Sequence, residues 1–427
     1  MKSIPLGTRI LLALIGGFCF GALLPGIGSA PLLRVADAID PLGALWLNAL
    51  RMTVLPLVFA LLITGVATVN ESASGGRVAA RSVGLFVLLL SAAAVTGAIL
   101  TPLILGAFPV DPAAAAALRD AAGQGSRAIA AVPPLRDWLL GLIPANVFEA
   151  AAKGDVLQVV LFALLFGFAA ARLEPAFRDT LLRFFQAVVE AMQVIVRWVL
   201  WLAPIGIFAL AAGVGRRGGF AVAGALGTYL TVACSVSIVI ALAMYPLVRW
   251  RAGISMGRFA RAALPVQVMG FSTQSSLACL SAMIDAARTQ LQVPAAVSAV
   301  TLPMAVSLFR ITSPIVNLSV VLFVAHVNAV PIGVAQMIAG MAVAVITNFA
   351  IAGLPSQVNF FTTTVPISFA MGVPTGILPL LLAIEVIPDL FRTVGNVTAD
   401  LAVTVLVARR FAPAPGAANG TRVTGQV

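Results

Sequence analysis

Long runs of apolar residues, separated by short polar connections, make up most of this chain. A helical run of about 20 residues crosses the roughly 30 Å of hydrocarbon in a bilayer. At least seven runs of the needed length precede the C-terminal one, and they begin near Ile10, Leu45, Val83, Val156, Val188, Gly224 and Ala295. The pattern predicts an all-α integral membrane protein.

The organisation of these runs changes near residue 255. Before it, spans follow one another through short loops, except for a longer polar connection at 108–137. After it, polar, Gly and Pro residues interrupt the apolar segments. The pattern is duplicated, with an interrupted piece followed by a long span in each half: 258–290 then 295–325, and 331–371 then 374–408. Broken helices at matching positions of two repeats indicate a transporter's binding site near the middle of the membrane. At that depth, the hydrogen-bonding groups of non-helical backbone must be paired with protein groups or with water in a cavity.

One polar stripe stands out in the last apolar segment. Its members, four, three, four and four residues apart, are Glu385, Asp389, Arg392, Asn396 and Asp400. On an α-helix this spacing keeps all five side chains on one face. A charge at the bilayer centre costs about 3 kcal/mol on insertion scales, so the stripe must be paired or face water or a ligand. An internal salt-bridge network is the alternative, but we interpret the stripe as the working site.

Composition and charge agree with a membrane protein. The chain is 61% hydrophobic and 10% charged, with a mean hydropathy of +1.07, which excludes a soluble globular domain. The chain has a net charge of +11. Its basic residues fall mainly in loops that lie on one side of the membrane when successive spans alternate in direction. The positive-inside rule then predicts cytoplasmic termini and membrane lipids, not nucleic acid, as partners. The tail 411–427, rich in Gly, Ala, Pro and Thr, is predicted to be disordered.

Four segments together resemble a known family. They are Leu45–Phe59 (LWLNALRMTVLPLVF), Ile143–Asn146 (IPAN), Ala203–Leu210 (APIGIFAL) and Arg392–Asp400 (RTVGNVTAD). They are similar, in order, to motifs of the dicarboxylate/amino acid:cation symporters, the bacterial relatives of the excitatory amino acid transporters. The resemblance covers about residues 8–410.

The resemblance implies a glutamate-transporter-like elevator fold with eight transmembrane helices, two re-entrant helical hairpins and assembly as a homotrimer. Spans 1–2 (1–75) and spans 4–5 (138–215) would form a scaffold. Span 3 (76–107) and residues 220–410 would form the moving transport domain. Within the latter, the expected order is span 6, hairpin 1 (258–290), span 7 (295–325), hairpin 2 (331–371) and span 8 (374–408).

The resemblance also implies a substrate site between the two hairpin tips. Asp389 takes the position that binds a substrate amino group, and Arg392 the position that binds a side-chain carboxylate, for which a guanidinium offers a planar fork. Asn396 would bind the main-chain carboxylate. The further substrate-binding positions are Ser275, Ser276, Ser313, Gly353 and Thr393. An arginine at 392 favours an acidic amino acid or a C4-dicarboxylate as substrate.

The expected cation sites differ from those of the family. Phe309 and Ile311 stand where the family has sodium-ligating side chains in span 7, and Leu89 and Leu90 replace a Thr-Ser pair in span 3. Such side chains cannot coordinate a hard cation. Asn396 and Asp400 remain as a residual sodium site.

Arg310, inside an apolar run, suggests what replaces sodium. We interpret its guanidinium as a tethered cation that neutralises Asp400 or Asp389, although it could merely hold spans 7 and 8 together. Transport would then be sodium-independent, either proton-coupled through Glu385 or Asp400, or an exchange process. Asn317, an amide that cannot titrate, is assigned a packing role.

Two functions remain open at this point. The first is a secondary active transporter of a small anionic substrate across the inner membrane, with no cofactor and with H⁺ or Na⁺ as the possible coupling ion. The second is a non-transporting or sensor-like relative that binds its ligand without ion-coupled flux. An enzyme is not expected, because no nucleophile–base pair or metal-ligand spacing stands out.

Overall fold

A computed structural model describes residues 6–27, 30–74, 76–121, 143–153, 156–219, 221–350 and 356–409. Within these ranges every regular element is a helix. In chain order they are α1 (Leu6–Ile27), α2 (Ala30–Ser74), α3 (Arg77–Ala107), α4 (Pro112–Ala121), α5 (Val147–Lys153), α6 (Val156–Ala170), α7 (Pro175–Trp201), α8 (Ala203–Gly218), α9 (Ala221–Ala252), α10 (Met256–Thr273), α11 (Leu280–Thr289), α12 (Ala295–Leu308), α13 (Thr312–Val327), α14 (Val334–Ala350), α15 (Ser356–Met371), α16 (Leu378–Ile384) and α17 (Val386–Arg409).

One group of helices comes from the first half of the chain. Helix α1 packs along α8, and α2 packs against α6, α7 and α8. Glycines let α1 and α8 approach closely, since a Cβ at Gly17 or Gly21 would collide with the α8 backbone. At one end of α8, Arg217 donates to Asp40 of α2 at 3.2 Å.

A second group joins α3 to the C-terminal half. Helices α9, α10 and α12 pack against α17, and α13 packs against α3, α9, α14 and α15. Most of α13 and α17 is buried. Because these helices are enclosed by others, most of their polar side chains are shielded from lipid.

Two helices of the second group are interrupted. Helix α12 ends at Leu308 and α13 begins at Thr312, so residues 309–311 form a break in the middle of a long apolar segment. The segment expected as the span 374–408 contains two helices, α16 and α17, which meet at Glu385. Pro388 has no N–H to donate to the Ile384 carbonyl, which removes a helical hydrogen bond at this junction.

The interrupted pieces of sequence correspond to helical hairpins. In the first, α10 and α11 are joined by a turn that begins at Gln274, whose φ is +52°. Arg258 closes its base by donating to the Gln290 carbonyl at 2.8 Å. In the second, α14 packs against α15. Its tip, 351–355, lies outside the described residues.

Length and composition identify fewer membrane-spanning helices among the described residues than the eight that the resemblance implies. Among the described residues, four helical segments are long and apolar enough to cross a membrane, or five if the bent pair formed by α7 and α8 counts as one span. The eight-span arrangement and its division into scaffold and transport domains therefore stay predictions. The predicted disordered tail also lies outside the described residues.

The close contact between α3 and α13 gives a testable prediction. A Cβ at Gly97 of α3 would lie 3.0 Å from the Ile315 carbonyl oxygen of α13, whereas a Cβ at Gly84 of the same helix meets nothing within 4 Å. Overpacking a tight contact costs about 1–3 kcal/mol. We expect Gly97→Val to lower the thermal unfolding temperature of the purified protein in detergent, and Gly84→Val to leave it unchanged. Equal unfolding temperatures of the Gly97→Val and Gly84→Val variants would show that the contact between α3 and α13 at Gly97 is not tight.

Candidate functional site

A buried ion pair lies at the start of α17. Nη1 of Arg392 donates to Oε1 of Glu385 at 2.6 Å, and only 5% and 2% of the two side chains are exposed. The two residues are seven apart, two turns along the chain, so they lie on the same side of α17 and the turn before it. Glu385 occupies the junction between α16 and α17, and its carboxylate accepts from the Arg392 guanidinium.

Three other helices complete the polar network around this pair. The Tyr229 hydroxyl of α9 donates to Oε2 of Glu385. Nη2 of Arg392 donates to Oδ1 of Asn317 on α13 at 3.1 Å. The Asn317 amide nitrogen in turn donates to Ser313 at 3.1 Å and to Thr363 of α15 at 2.7 Å. The stripe on α17 is thus joined to α9, α13 and the second hairpin.

Asn317 was assigned a packing role, and the structure corrects this. Its side chain connects Arg392 to Ser313 and Thr363. An amide suits this position because it offers an acceptor to the guanidinium and a donor to the two hydroxyls.

The break between α12 and α13 is held by Asn396. Its side-chain oxygen accepts from the Thr312 backbone N–H at 3.1 Å and from the Thr312 hydroxyl at 2.9 Å. The first N–H groups of a helix have no partner within the helix, so Asn396 caps α13 from a neighbouring helix. Gly395 permits this approach, since a Cβ there would lie 2.6 Å from the Thr312 methyl carbon.

Aromatic rings fill the other side of the break. Phe309 stacks on Phe86 of α3, with ring centroids 4.8 Å apart and planes at 17°. Phe309, Ile311 and Leu90 are fully buried. No side-chain oxygen is offered by these three residues, which occupy the positions where the resemblance places cation ligands.

Arg310 lies in the break and is half-buried. Its charge is attracted by Asp389, repelled by Arg392 and, more weakly, attracted by Asp400, all three on α17. The Asp400 side chain is buried, and neither of its carboxylate oxygens has a hydrogen-bond partner among the described residues. Arg310 is therefore a positive charge held near two carboxylates of the stripe.

The tip of the first hairpin lies against the middle of α17. A Cβ at Gly270, near the end of α10, would be 3.4 Å from side-chain carbons of Thr393 and Val397. In the turn, the Ser275 hydroxyl accepts from the Ala278 N–H at 3.3 Å, and the Ser276 carbonyl accepts from the Cys279 N–H at 3.2 Å. Both serines are half-buried.

Several predicted site residues are therefore close together in the structure. Arg392, Glu385 and Ser313 belong to one network, while Asn396, Arg310 and Asp400 surround the helix break. Gly353 lies outside the described residues.

Two members of the network were missed by the sequence analysis. Nothing in the sequence distinguishes Thr363 as a site residue, because hydroxyl residues are common in its segment. Tyr229 could have been noticed, since it is one of only 2 tyrosines in the chain and lies inside an apolar segment.

Comparison with known proteins agrees with the motifs. The sequence matches the model of the sodium:dicarboxylate symporter family over residues 6–410. It is 24% identical over 413 residues to the proton/glutamate-aspartate symporter of Escherichia coli, covering 96% of this chain and 94% of that protein. It is 29% identical over 407 residues to the C4-dicarboxylate transport protein of an Anaeromyxobacter species, covering 94% and 88%.

The name of a third relative includes two ions, the proton and sodium. The proton/sodium-glutamate symport protein of Bacillus caldotenax is 24% identical over 415 residues, covering 96% of this chain and 95% of that protein. All three relatives are aligned over nearly their whole length, and the family match spans both broken helices and both hairpins. This chain belongs to the sodium:dicarboxylate symporter family.

Proposed function

We propose that this protein is a secondary active transporter of a small carboxylate-bearing substrate across the inner membrane. The observation that carries the proposal is the cluster of ionisable side chains between the broken helices, in which Arg392 and Glu385 are buried and Arg310 is half-buried. Intramembrane ionisable residues of this kind mark substrate and ion pathways. The names of the relatives indicate glutamate, aspartate and C4-dicarboxylates, so substrates of that size are the first to test.

An elevator mechanism in a homotrimer is the mode of transport that we propose. The separation of the helices into two packing groups supports it, with α1, α2, α6, α7 and α8 as scaffold and the second group as the moving domain. The chain would cross the membrane several times with both termini in the cytoplasm, as the loop charges predict.

The substrate would contact side chains near the break and the first hairpin tip. The oxygen of Asn396 is occupied by Thr312, whereas its amide nitrogen has no partner among the described residues and could donate to a carboxylate. Asp389 would bind an amino group. The remaining contacts that we propose come from Ser275, Ser276, Thr393 and Gly353.

Coupling to sodium is absent in this proposal, and two observations support that. Arg310 supplies a positive charge beside Asp389 and Asp400. The Leu308 carbonyl at the end of α12, a type of group that binds cations in broken helices, accepts from the Asn348 amide of α14 at 3.1 Å. A proton gradient or substrate exchange would then drive transport.

The first prediction concerns flux. Purified protein in proteoliposomes should accumulate at least one labelled substrate from a panel of L-aspartate, succinate and their amides L-asparagine and succinamate. Protein-free liposomes are the control. Binding without accumulation would favour the non-transporting alternative, and absence of both binding and uptake would contradict the proposed function.

The second prediction concerns the coupling ion. Replacing sodium by choline on both sides of the membrane should leave the uptake rate unchanged, because Arg310 would supply the positive charge and the Leu308 carbonyl is already bound by Asn348. The Escherichia coli and Bacillus caldotenax relatives can be measured in parallel. Strong dependence of uptake on sodium in this protein would overturn the tethered-cation interpretation.

The third prediction concerns Arg310. Arg310→Met removes the positive charge beside Asp389 and Asp400 and should destabilise the protein by about 2 kcal/mol, less than for a fully buried pair because Arg310 is half-buried. Adding Asp400→Asn or Asp389→Asn should restore part of the loss in a double-mutant cycle. The exposed Arg288 provides a matched control, since Arg288→Met should leave the thermal unfolding temperature unchanged. If neither asparagine variant rescues Arg310→Met, Arg310 does not neutralise these carboxylates.

A further inference from the structure

Arginines surround the turn that joins α9 to α10. The turn is residues 253–255, and it is tight because Gly253 has a φ of +70° and the Ser255 hydroxyl caps α10. Arg409, at the end of α17, lies beside it and donates to the Arg251 carbonyl at 2.9 Å. The arginines around the turn are Arg249, Arg251, Arg258, Arg261 and Arg409.

No carboxylate balances these arginines. None of them forms an ion pair within the part of the chain that the structure describes. No Asp or Glu occurs in the sequence between Glu190 and Asp285, so neither α9 nor α10 carries an acid. Nε of Arg258 and Nε of Arg261 donate to backbone carbonyls at 2.8 and 3.3 Å, which positions the guanidiniums without neutralising them. The turn therefore attracts an anion.

An exposed apolar face of α10 leads away from the arginines. Leu264, Val268 and Phe271 are exposed, and they follow Arg261 at steps of three, four and three residues. Residues at these spacings lie on one face of a helix. The face is thus basic at the start of α10 and apolar along the rest of its length.

Helix α9 has a similar face and ends at the same place. It is long and apolar enough to cross a membrane, and Leu242, two turns before Arg249, is exposed. Trp250 is 74% exposed, and the guanidinium carbon of Arg251 lies 4.5 Å from the centroid of its ring. Tryptophan and arginine at the end of a span are typical of the membrane surface, which the loop charges predict to be the cytoplasmic one.

We propose that the turn between α9 and α10 binds an anionic phospholipid, with its phosphate on Arg249, Arg251 and Arg261 and its acyl chains along the exposed apolar faces of the two helices. A guanidinium offers a fork of N–H groups that matches a phosphate. A free phosphate would leave the apolar faces uncovered. A phosphatidylcholine headgroup carries its own ammonium and brings no net charge to the arginines, whereas phosphatidylglycerol brings one negative charge. This lipid site is independent of the proposed transport function.

Quenching of Trp250 fluorescence tests the site. The full-length protein is placed in bilayers of equal amounts of phosphatidylcholine and phosphatidylglycerol, with bromine atoms on the acyl chains of one lipid or the other. The chain has 5 tryptophans, so the signal of Trp250 is the difference between the wild-type protein and Trp250→Phe. Phosphatidylglycerol should occupy the site about fivefold or more in preference to phosphatidylcholine, since each arginine near a surface adds about that factor.

Single arginine variants locate the preference. Arg249→Gln and Arg261→Gln, each measured with and without Trp250→Phe, should lower the preference about fivefold. Arg172→Gln and Arg183→Gln are the controls, because both arginines are exposed and lie just before and on α7. They remove the same charge and should leave the preference unchanged. An equal decrease in test and control variants would overturn the site, because the preference would then report net charge alone.

The other outcomes are equally decisive. Equal quenching of Trp250 by the two brominated lipids would overturn the proposal. Loss of the preference on adding inorganic phosphate, together with an equal rise in thermal unfolding temperature from phosphate and from phosphatidylglycerol in detergent, would show a site for a free anion instead of a lipid. Each result is obtained without substrate, so the transport function stands or falls separately.

Discussion

The ion pair between Arg392 and Glu385 is the interaction on which the rest of the site depends. Both side chains lie in a segment whose surroundings are apolar, and an uncompensated charge there would cost several kcal/mol. The pair is tolerated because each partner has further hydrogen bonds, from Tyr229 to Glu385 and from Arg392 to Asn317. These bonds require α9, α13 and α17 to meet at one point, so the ion pair constrains the packing of the whole second group of helices.

The two helix interruptions lie beside the same site. Pro388 removes a hydrogen bond at the start of α17, and Glu385 lies at the resulting junction, close enough to pair with Arg392. At the other break, Asn396 caps α13, and Phe309 packs on Phe86. Polar groups thus face α17 and apolar rings face α3. The break is built from protein contacts on both sides, which is consistent with a site that needs no sodium ion to hold it together.

Much of this site could be predicted from local sequence. The spacing of Glu385 and Arg392 placed them on one face of a helix, and the motifs Ala203–Leu210 and Arg392–Asp400 identified the family, which the family match confirms. The partners of each charge could not be predicted. Tyr229 is 156 residues from Glu385, and nothing in the local pattern connects them. For the same reason the sequence suggests only a packing role for Asn317.

The sequence by itself determined the membrane class, the family and the set of charges within the apolar segments, because hydrophobic length, motifs and spacing are local features of the chain. Only the tertiary structure decided which charge pairs with which. A guanidinium at 392 has the same helical register whichever carboxylate it pairs with. The difference lies in where α9 and α13 bring Tyr229 and Asn317, and that depends on packing between helices far apart in sequence.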